Sequence, residues 1–522
     1  TRNSCPWFSA FRFLVRILAS GRYIIPMLFE PLLDHAARTP TDIAMLDESG
    51  THTFEQLAAS AAGMAVHLAQ TTQRPSVGLM LPAGAGFAAS FYGTLLAGKS
   101  VVPINFLLGE REMAHMIADS GIDTIVTIGQ LRGKIKDDGV KVVDLAELAA
   151  RAAGAAPGEA LAAVRKRLPA PKPDDMAVLM YTSGTSGLPK GVELTFGNLQ
   201  SDVDACIEHA QLQHKHKFLG VIPLFHSFGM TAMMLAPVQL GSTVIYMARF
   251  SAVGAVNAVR EHGVSLMFAV PSMLAAIGHL KSAVAEDFKT IYAMITGGEP
   301  LPARLREIFQ QRFGLTLLEG YGLTETSPVV ALNMPWIHRA GSVGKPVPGV
   351  EIKIADESGD ALPRGQSGEV WLRGPMVMKG YHNLPRETEA ALTADGFFRT
   401  GDLGMLDADG FLYITGRKKD LIIVAGEKVA PREVEEILVS HAGVAEAAVV
   451  GKKDTGRGEM VVAFVIRRPG EEASAEALRD LCRDHGLAQW KIPREFYFPP
   501  DLPRSPTGKV LKRLLAEQVN PH

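Results

Sequence analysis

The sequence predicts an α/β protein, with a large N-terminal domain of helix-covered parallel sheet, a small β subdomain and a small α+β C-terminal domain. Three observations carry this. Strand-like and helix-like runs alternate from about residue 53 to residue 296, the pattern of parallel sheet under helices. Glycine-rich turns then separate short strand-like runs at Gly341-Ser-Val-Gly-Lys-Pro346 and Gly365–Leu372. A fresh series of strands and helices begins after Tyr413-Ile-Thr-Gly-Arg-Lys-Lys-Asp420. With 522 residues, 47% hydrophobic and 21% charged, the chain has ample core for roughly two to four domains. Lys+Arg 53 against Asp+Glu 55 leaves a formal charge of −2, which argues against a nucleic-acid partner. Cys5, Cys206 and Cys482 are odd in number and far apart. They speak against disulfides and zinc, and suit a reducing, cytoplasmic compartment.

Residues 1–30 form a basic, apolar leader. The chain opens at Thr1 without methionine, as a processed chain or a piece of a longer one would. Ser9, Arg12, Arg16 and Ala19 share one helical face, while Phe8, Phe11, Leu14, Val15 and Leu18 cover the other. Two readings stay open: an amphipathic helix making peripheral membrane contact, or a terminal helix packed on the core or left from an upstream domain. Arginines interrupt the apolar run, which disfavours a secretory signal. No span reads as a membrane crossing. The uncharged run from Phe218 to Ala248 is broken by Pro223, Gly229, Pro237 and Gly241 into strand, turn, helix and strand.

From residue 31 the elements follow in order. Thr53-Phe-Glu-Gln56 fits a capping box before Leu57, Ala61, Met64 and Leu68 at helical spacing. Val77–Leu81, Phe87–Ala97 and Val101–Ile104 read as a βαβ unit closed by Gly98, and helix Glu112–Ser120 with strand Ile122–Ile128 as a second. Ala149–Pro173 reads as a surface excursion. Thr195 caps a helix to about Ala210, Phe218–Ile222 is a strand, Phe250–His262 a helix, and Leu266–Val270 and Ile291–Thr296 further strands.

The chemistry is concentrated in loops. Tyr181-Thr-Ser-Gly-Thr-Ser-Gly-Leu-Pro-Lys-Gly191 joins the strand-like runs Met176–Tyr181 and Val192–Leu194. Its glycines (Gly184, Gly187) admit close approach of a bulky anion. The amide groups together with Thr182, Ser183, Thr185 and Ser186 supply donors, and Lys190 adds a point charge. This is a polyphosphate cradle but not GxxxxGK[ST], since Pro189 precedes the lysine and Gly191 follows it. Leu318-Glu-Gly-Tyr-Gly-Leu-Thr-Glu-Thr326 is the second strong motif. Gly320 and Gly322 leave room beside Tyr321, whose ring can stack on a base; Thr324 can bond a phosphate, and Glu325 offers a hard oxygen for Mg²⁺. Asp402, in Phe398-Arg-Thr-Gly-Asp-Leu403, suits a sugar diol. Pro503-Arg-Ser-Pro-Thr-Gly-Lys-Val-Leu-Lys512 sets Lys509 in a turn.

Together these motifs resemble the acyl-adenylate-forming enzymes: acyl-CoA synthetases, adenylation domains and beetle luciferases. The resemblance runs from about residue 31 to the end. It implies two parallel α/β sheet subdomains plus the β subdomain across 31–417, and a mobile lid at 418–522 hinged near Lys419. It also implies ATP and Mg²⁺ as cofactors, with CoA, or the phosphopantetheine of acyl carrier protein, as thiol acceptor. Gly298, Glu299 and Pro300 would pack on adenine, Asp402 would hold both ribose hydroxyls, and Arg417 would reach ribose or phosphate. Lys509 would bridge carboxylate and α-phosphate, and the Gly426 loop would serve the thiol step. His226, in Pro223-Leu-Phe-His-Ser-Phe-Gly229, would line the acyl pocket and not act as a base. No aspartate stands in that segment to hold a substrate ammonium, and Phe228, Met230, Met233 and Met234 make an apolar wall. The expected activity is therefore ligation of a medium- or long-chain fatty acid to CoA. Acyl-carrier-protein ligation is the alternative and a non-catalytic nucleotide-binding module the remote one. Met80-Leu-Pro-Ala-Gly-Ala-Gly86 and the leader also resemble carrier-protein ligases fused to lysophospholipid acyltransferases, but no His-x4-Asp signature stands in this chain.

Overall fold

Helix starts explain much of the architecture. Thr53 caps Phe54–Thr71: its hydroxyl accepts from the Gln56 amide, and the Gln56 side chain accepts from the Thr53 amide. Thr195 and Asn198 repeat the device at the start of Phe196–His209. Each box satisfies two donors that a helix start leaves bare, worth about 1 kcal/mol. The computed structural model describes residues 27–136, 139–152, 170–182, 188–504 and 510–520, the strands Arg16–Ile17 and Tyr23–Ile24, and positions 161, 162, 164 and 166.

Two large sheets dominate. The first has seven strands in the order Gly380–Tyr381, Lys190–Thr195, Met176–Thr182, Ser100–Pro103, Ser76–Met80, Thr124–Thr127 and Lys141–Asp144. The second has nine, ordered Lys345–Pro346, Val329–Leu332, Leu317–Gly322, Ala293–Thr296, Leu266–Ala269, Lys217–Gly220, Thr243–Tyr246, Ile43–Asp47 and Gly50–Thr53. Their interiors are parallel, as the βαβ alternation requires. One margin of the first sheet and both margins of the second are antiparallel, and the strands flanking both glycine-rich motifs lie there.

Helix Ala85–Leu96 is buried on every side, as an apolar helix inside a layered core must be. Gly93 lets it touch Phe54–Thr71, since a Cβ there would stand 2.7 Å from the Ala61 carbonyl. One apolar cluster embraces both sheets, from Leu28 and Phe29 through Phe218 and Phe268 to Phe398. Four antiparallel strands (Glu351–Ala355, Gly368–Arg373, Phe398–Leu406, Leu412–Arg417) make the β subdomain.

After Leu412–Arg417 a 3₁₀ turn, Lys418–Asp420, leads to a separate five-stranded sheet. Glu427–Val429, Ile422–Val424, Gly458–Arg467 and Val444–Asp454 follow one another across it, with Glu495–Tyr497 alongside Gly458–Arg467. Helices Pro431–Ser440 and Ala475–Asp484 cover one face with the core of Val434, Leu438, Leu478 and Cys482. Lys512–Val519 covers the other, with Phe464 and Leu515.

The leader differs from expectation. Arg16–Ile17 pairs antiparallel with Tyr23–Ile24, where the amphipathic pattern predicted helix through Ala19. Ile17, Tyr23 and Ile24 are β-prone and Gly21 punctuates the run; the rest of the expected helix lies outside the described residues. The first α-helix begins at Glu30, preceded by buried Leu28 and Phe29. No described helix is long and apolar enough to cross a membrane.

Candidate active site

The phosphate-cradle motif sits on an antiparallel hairpin, Met176–Thr182 with Lys190–Thr195, in which Thr182 faces Lys190 and Tyr181 faces Gly191. Ser183, Gly184, Thr185, Ser186 and Gly187 lie outside the described residues. Both flanks are anchored to helix Glu110–Ser120: Tyr181 donates its hydroxyl to Asp119 at 2.7 Å, and His115 Nε2 lies 3.0 Å from the Pro189 carbonyl. Gly191 is required by crowding, because a Cβ there would stand 2.9 Å from Leu179 and 3.1 Å from His382.

The second motif turns sharply at the end of Leu317–Gly322. A Cβ on Gly322 would stand 1.9 Å from the Pro328 carbonyl, so only glycine passes. A 3₁₀ turn, Thr324–Thr326, follows. Buried Asp202 accepts from the Val329 amide and braces the exit; burial pushes its carboxyl well above the usual range. Buried Glu319 ties in the segment expected at adenine, accepting from the Leu301 amide at 3.1 Å and pairing with Arg306 at 2.8 Å. Gly298, at φ +83°, and Pro300 are exposed and Glu299 half-buried, at the end of Ala293–Thr296.

Tyr321, Asp402 and Arg417 come together. Asp402, 2% exposed, accepts from the Tyr321 hydroxyl at 2.5 Å on one oxygen and from Arg417 Nε at 2.8 Å on the other. The two strands that carry Asp402 and Arg417 place these residues opposite each other. Each carboxylate oxygen keeps a second lone pair for a diol. Burial and the Asp402 charge raise the Tyr321 hydroxyl pKa far above its ordinary value, so it stays a donor.

Glu325 is held by Tyr381, whose hydroxyl donates to Oε1 at 2.9 Å. Burial raises the Glu325 pKa. Thr324 Oγ1 lies 3.4 Å from Ser227 Oγ, which joins this turn to the His226 segment. The His226 imidazole has no partner for Nε2 among the described residues, and burial pushes its pKa down to about 4. It is neutral at physiological pH, a poor base and an acceptable pocket wall.

Beyond it, Ser227–Met230 runs into a π turn, Thr231–Leu235, and then Ala236–Leu240. Met230, Met233 and Met234 are fully buried. The Tyr246 hydroxyl donates to the Met233 carbonyl, whose ordinary helical partner four residues on is Pro237, a residue without an N–H.

The small domain carries two candidate segments. Arg504 bridges Val510 and feels the charge of Glu299. Lys509 itself lies outside the described residues, next to this bridge. Gly426, at φ +88°, caps the Ile422–Val424 hairpin instead, where Lys428 pairs with Glu357 of the β subdomain. Among the described residues Gly426 shares no hydrogen bond with Tyr321, Asp402 or Arg417. Lys419 occupies the connecting 3₁₀ turn.

Two residues missed by sequence reasoning are Asp119 and Tyr381. Tyr381 occupies a two-residue strand paired with residues nearly two hundred positions earlier, so no local pattern marks it beyond the Gly380-Tyr381 pair. Among the described residues no three His, Cys, Asp or Glu side chains cluster to hold a metal. A lone, oriented carboxylate fits an ion carried mainly by phosphate oxygens and water.

Donors and acceptors from both glycine-rich motifs and the β subdomain thus gather at the margins of two sheets, and the family of the chain says what class of protein carries them. The chain belongs to the AMP-binding enzyme family. That family's profile matches residues 32–382, and the profile of the AMP-binding enzyme C-terminal domain matches 433–509. The long-chain-fatty-acid–CoA ligase of Bacillus subtilis (strain 168) is 34% identical over 525 residues, covering 93% of each chain. The sulfoacetate–CoA ligase of Cupriavidus necator (strain H16) is 36% identical over 487 residues, covering 91% of this chain and 94% of the relative. ATP-bound MatB from Rhodopseudomonas palustris superposes with a TM-score of 0.87 at 28% identity, covering 94% of this chain and 98% of that one. The same relative without ligand, at the same identity and coverage, superposes at 0.76. The protein is an acid–thiol ligase of this family, and its relatives differ in the acid they take.

Proposed function

We propose that the protein activates a medium- or long-chain fatty acid as an acyl-adenylate and passes the acyl group to the thiol of CoA. The apolar wall behind His226 carries this reading. Phe225, Met230, Met233 and Met234 are buried, Phe228 crosses Phe268 edge-on, and the imidazole is uncharged. Such a wall offers nothing to a second anionic group, which sulfoacetate would bring, and suits an alkyl chain.

In the first half-reaction a carboxylate oxygen attacks the α-phosphorus, the bond to the β-phosphate oxygen breaks, and pyrophosphate leaves. Two anions must meet, so placement of positive charge and donors dominates. The hairpin loop with Thr182 and Lys190 cradles the leaving phosphates, and Thr324 bonds the α-phosphate. Tyr321 and the Gly298–Pro300 segment flank adenine, while Asp402 and Arg417 grip the ribose. Glu325 would hold magnesium, which would offset phosphate charge. Lys509 spans carboxylate and α-phosphate. The Arg504–Glu299 proximity and the better fit to the ATP-bound relative support an arrangement set for this step. In the second half-reaction the thiol sulfur attacks the acyl carbon, the bond to AMP breaks, and the thiol proton passes to solvent. The small domain turns about Lys419 to present Gly426.

Exchange of labelled pyrophosphate into ATP tests this across acetate, malonate, octanoate, dodecanoate and palmitate. The expected result is strong exchange with the longer alkyl acids alone; strongest exchange with malonate, or none with any acid, overturns the reading. Repeating the best acid with CoA and with holo acyl carrier protein identifies the acceptor, for which CoA is expected.

A further inference from the structure

Lys190 and Glu325 come from motifs about 135 residues apart, and one tyrosine touches both. The Tyr381 hydroxyl reaches Glu325 Oε1 at 2.9 Å, while its ring lies 5.5 Å from the Lys190 ammonium. The side chain stands on a strand seated directly against the lysine's own, with Val192 opposite Tyr381. Its surroundings leave it little freedom. The Tyr381 amide donates to Thr388 Oγ1 at 2.9 Å, and the next residue's amide, at His382, donates to the Gly191 carbonyl at 2.8 Å. His382 Nδ1 lies 2.7 Å from Glu193. Three residues back, the Met378 amide donates to the Glu325 carbonyl at 2.8 Å. The short 378–382 segment therefore holds the backbone of both motifs as well as both side chains.

This arrangement answers an electrostatic problem. An ammonium and a carboxylate drawn to the same side chain in a partly desolvated cleft are candidates to pair, which would occupy the two groups a nucleotide needs. Among the described residues neither Lys190 nor Glu325 has an ion-pair partner. The ring face accommodates the cation, and the hydroxyl gives the half-buried carboxylate a charge-assisted donor on one oxygen. The other oxygen, Oε2, remains available. Burial and the Glu325 charge keep the hydroxyl protonated, and hence a donor, across the physiological range.

We propose that Tyr381 is a positioning residue for the metal-bearing triphosphate: its hydroxyl aims Glu325 at the ion and its ring keeps Lys190 off that carboxylate. The proposal rests on the reading of Glu325 as the metal-binding carboxylate. The hydroxyl thus serves the metal, and the ring serves the phosphates whether or not metal is present.

Calorimetric titration of the full chain separates these roles, with ATP supplied either with excess Mg²⁺ or with EDTA. Tyr381→Phe should weaken Mg·ATP binding about tenfold, in line with one hydrogen bond to a charged group, and leave metal-free ATP binding unchanged. Tyr381→Leu, which also removes the ring, should weaken both. The KM for the acid should stay at its wild-type value in Tyr381→Phe, and thermal melting of each variant checks that the fold persists. Wild-type Mg·ATP affinity in Tyr381→Phe, or equal losses with and without metal, overturns the proposal. Glu325→Gln separates the two layers. If it loses the metal preference while Tyr381→Phe keeps it, the positioning role falls and the metal-ligand reading stands. If Glu325→Gln keeps the preference, that reading falls and takes the proposal with it.

Discussion

The large and small domains are built on separate cores and joined by different forces. In the large domain a single apolar cluster runs from Leu28 to Phe398 and binds both sheets to the helices between them. The small domain keeps its own cores around Val434 and Phe464. Across the junction the contacts are polar: Lys418 meets Glu369 at 3.0 Å, exposed Lys428 pairs with exposed Glu357, and Arg432 donates to the Ile414 carbonyl at 2.5 Å. Apolar burial of the first kind is worth about 25 cal/mol per Å², whereas exposed ion pairs contribute between nothing and about 1 kcal/mol. The difference teaches that the large domain is held by continuous apolar burial, while the junction is held by a few polar contacts of which only Lys428–Glu357 is exposed on both sides.

Three substitutions probe that contrast, in falling order of effect. Lys509→Ala should lower acyl-adenylate formation by about 10²–10³ and leave thioester formation from supplied acyl-adenylate intact. Measuring the two half-reactions separately checks this, and equal losses would break the assignment of the lysine to the first step. Lys419→Pro acts on the junction. A 3₁₀ turn already has the φ that proline imposes, so the present arrangement should be locked in. Adenylate formation is expected to persist while transfer to thiol slows on the order of tenfold or more; a parallel fall in both would move the pivot elsewhere. Lys428→Ala removes one exposed pair. Its melting temperature should stay within the shift expected of about 0.5 kcal/mol. A larger loss would show that the junction is stabilised more than its surface charges allow.

Much of this was legible because local rules and tertiary structure agree. The Thr53–Gln56 and Thr195–Asn198 starts, the buried Ala85–Leu96 helix and the strands around Leu79 and Leu219 lie within a few residues of where pattern alone sets them. The strand–loop–strand reading of Met176–Thr195 also matches the observed hairpin, since Gly and Pro mark its ends. Other features depend on partners remote in sequence. The pairing of Val192 with Tyr381 and the bracing of Val329 by Asp202 involve long-range contacts with no periodicity to betray them. Ile17 and Tyr23 illustrate a third case, where an amphipathic pattern fits a helix but β-prone residues pair as strands. The π turn at Thr231–Leu235 was read only as part of a helix, because its widening leaves no compositional trace.

That widened turn has an evolutionary corollary. The Thr231–Leu235 stretch stores one residue beyond what an α-helical path requires, and Tyr246 keeps the surplus in place through the Met233 carbonyl. Loss of a single codon there would let the stretch rewind as ordinary α-helix while the segments on either side keep their register. The buried side chains of Thr231–Leu235 would then be packed more tightly by a reading-frame-preserving deletion, without any new amino acid.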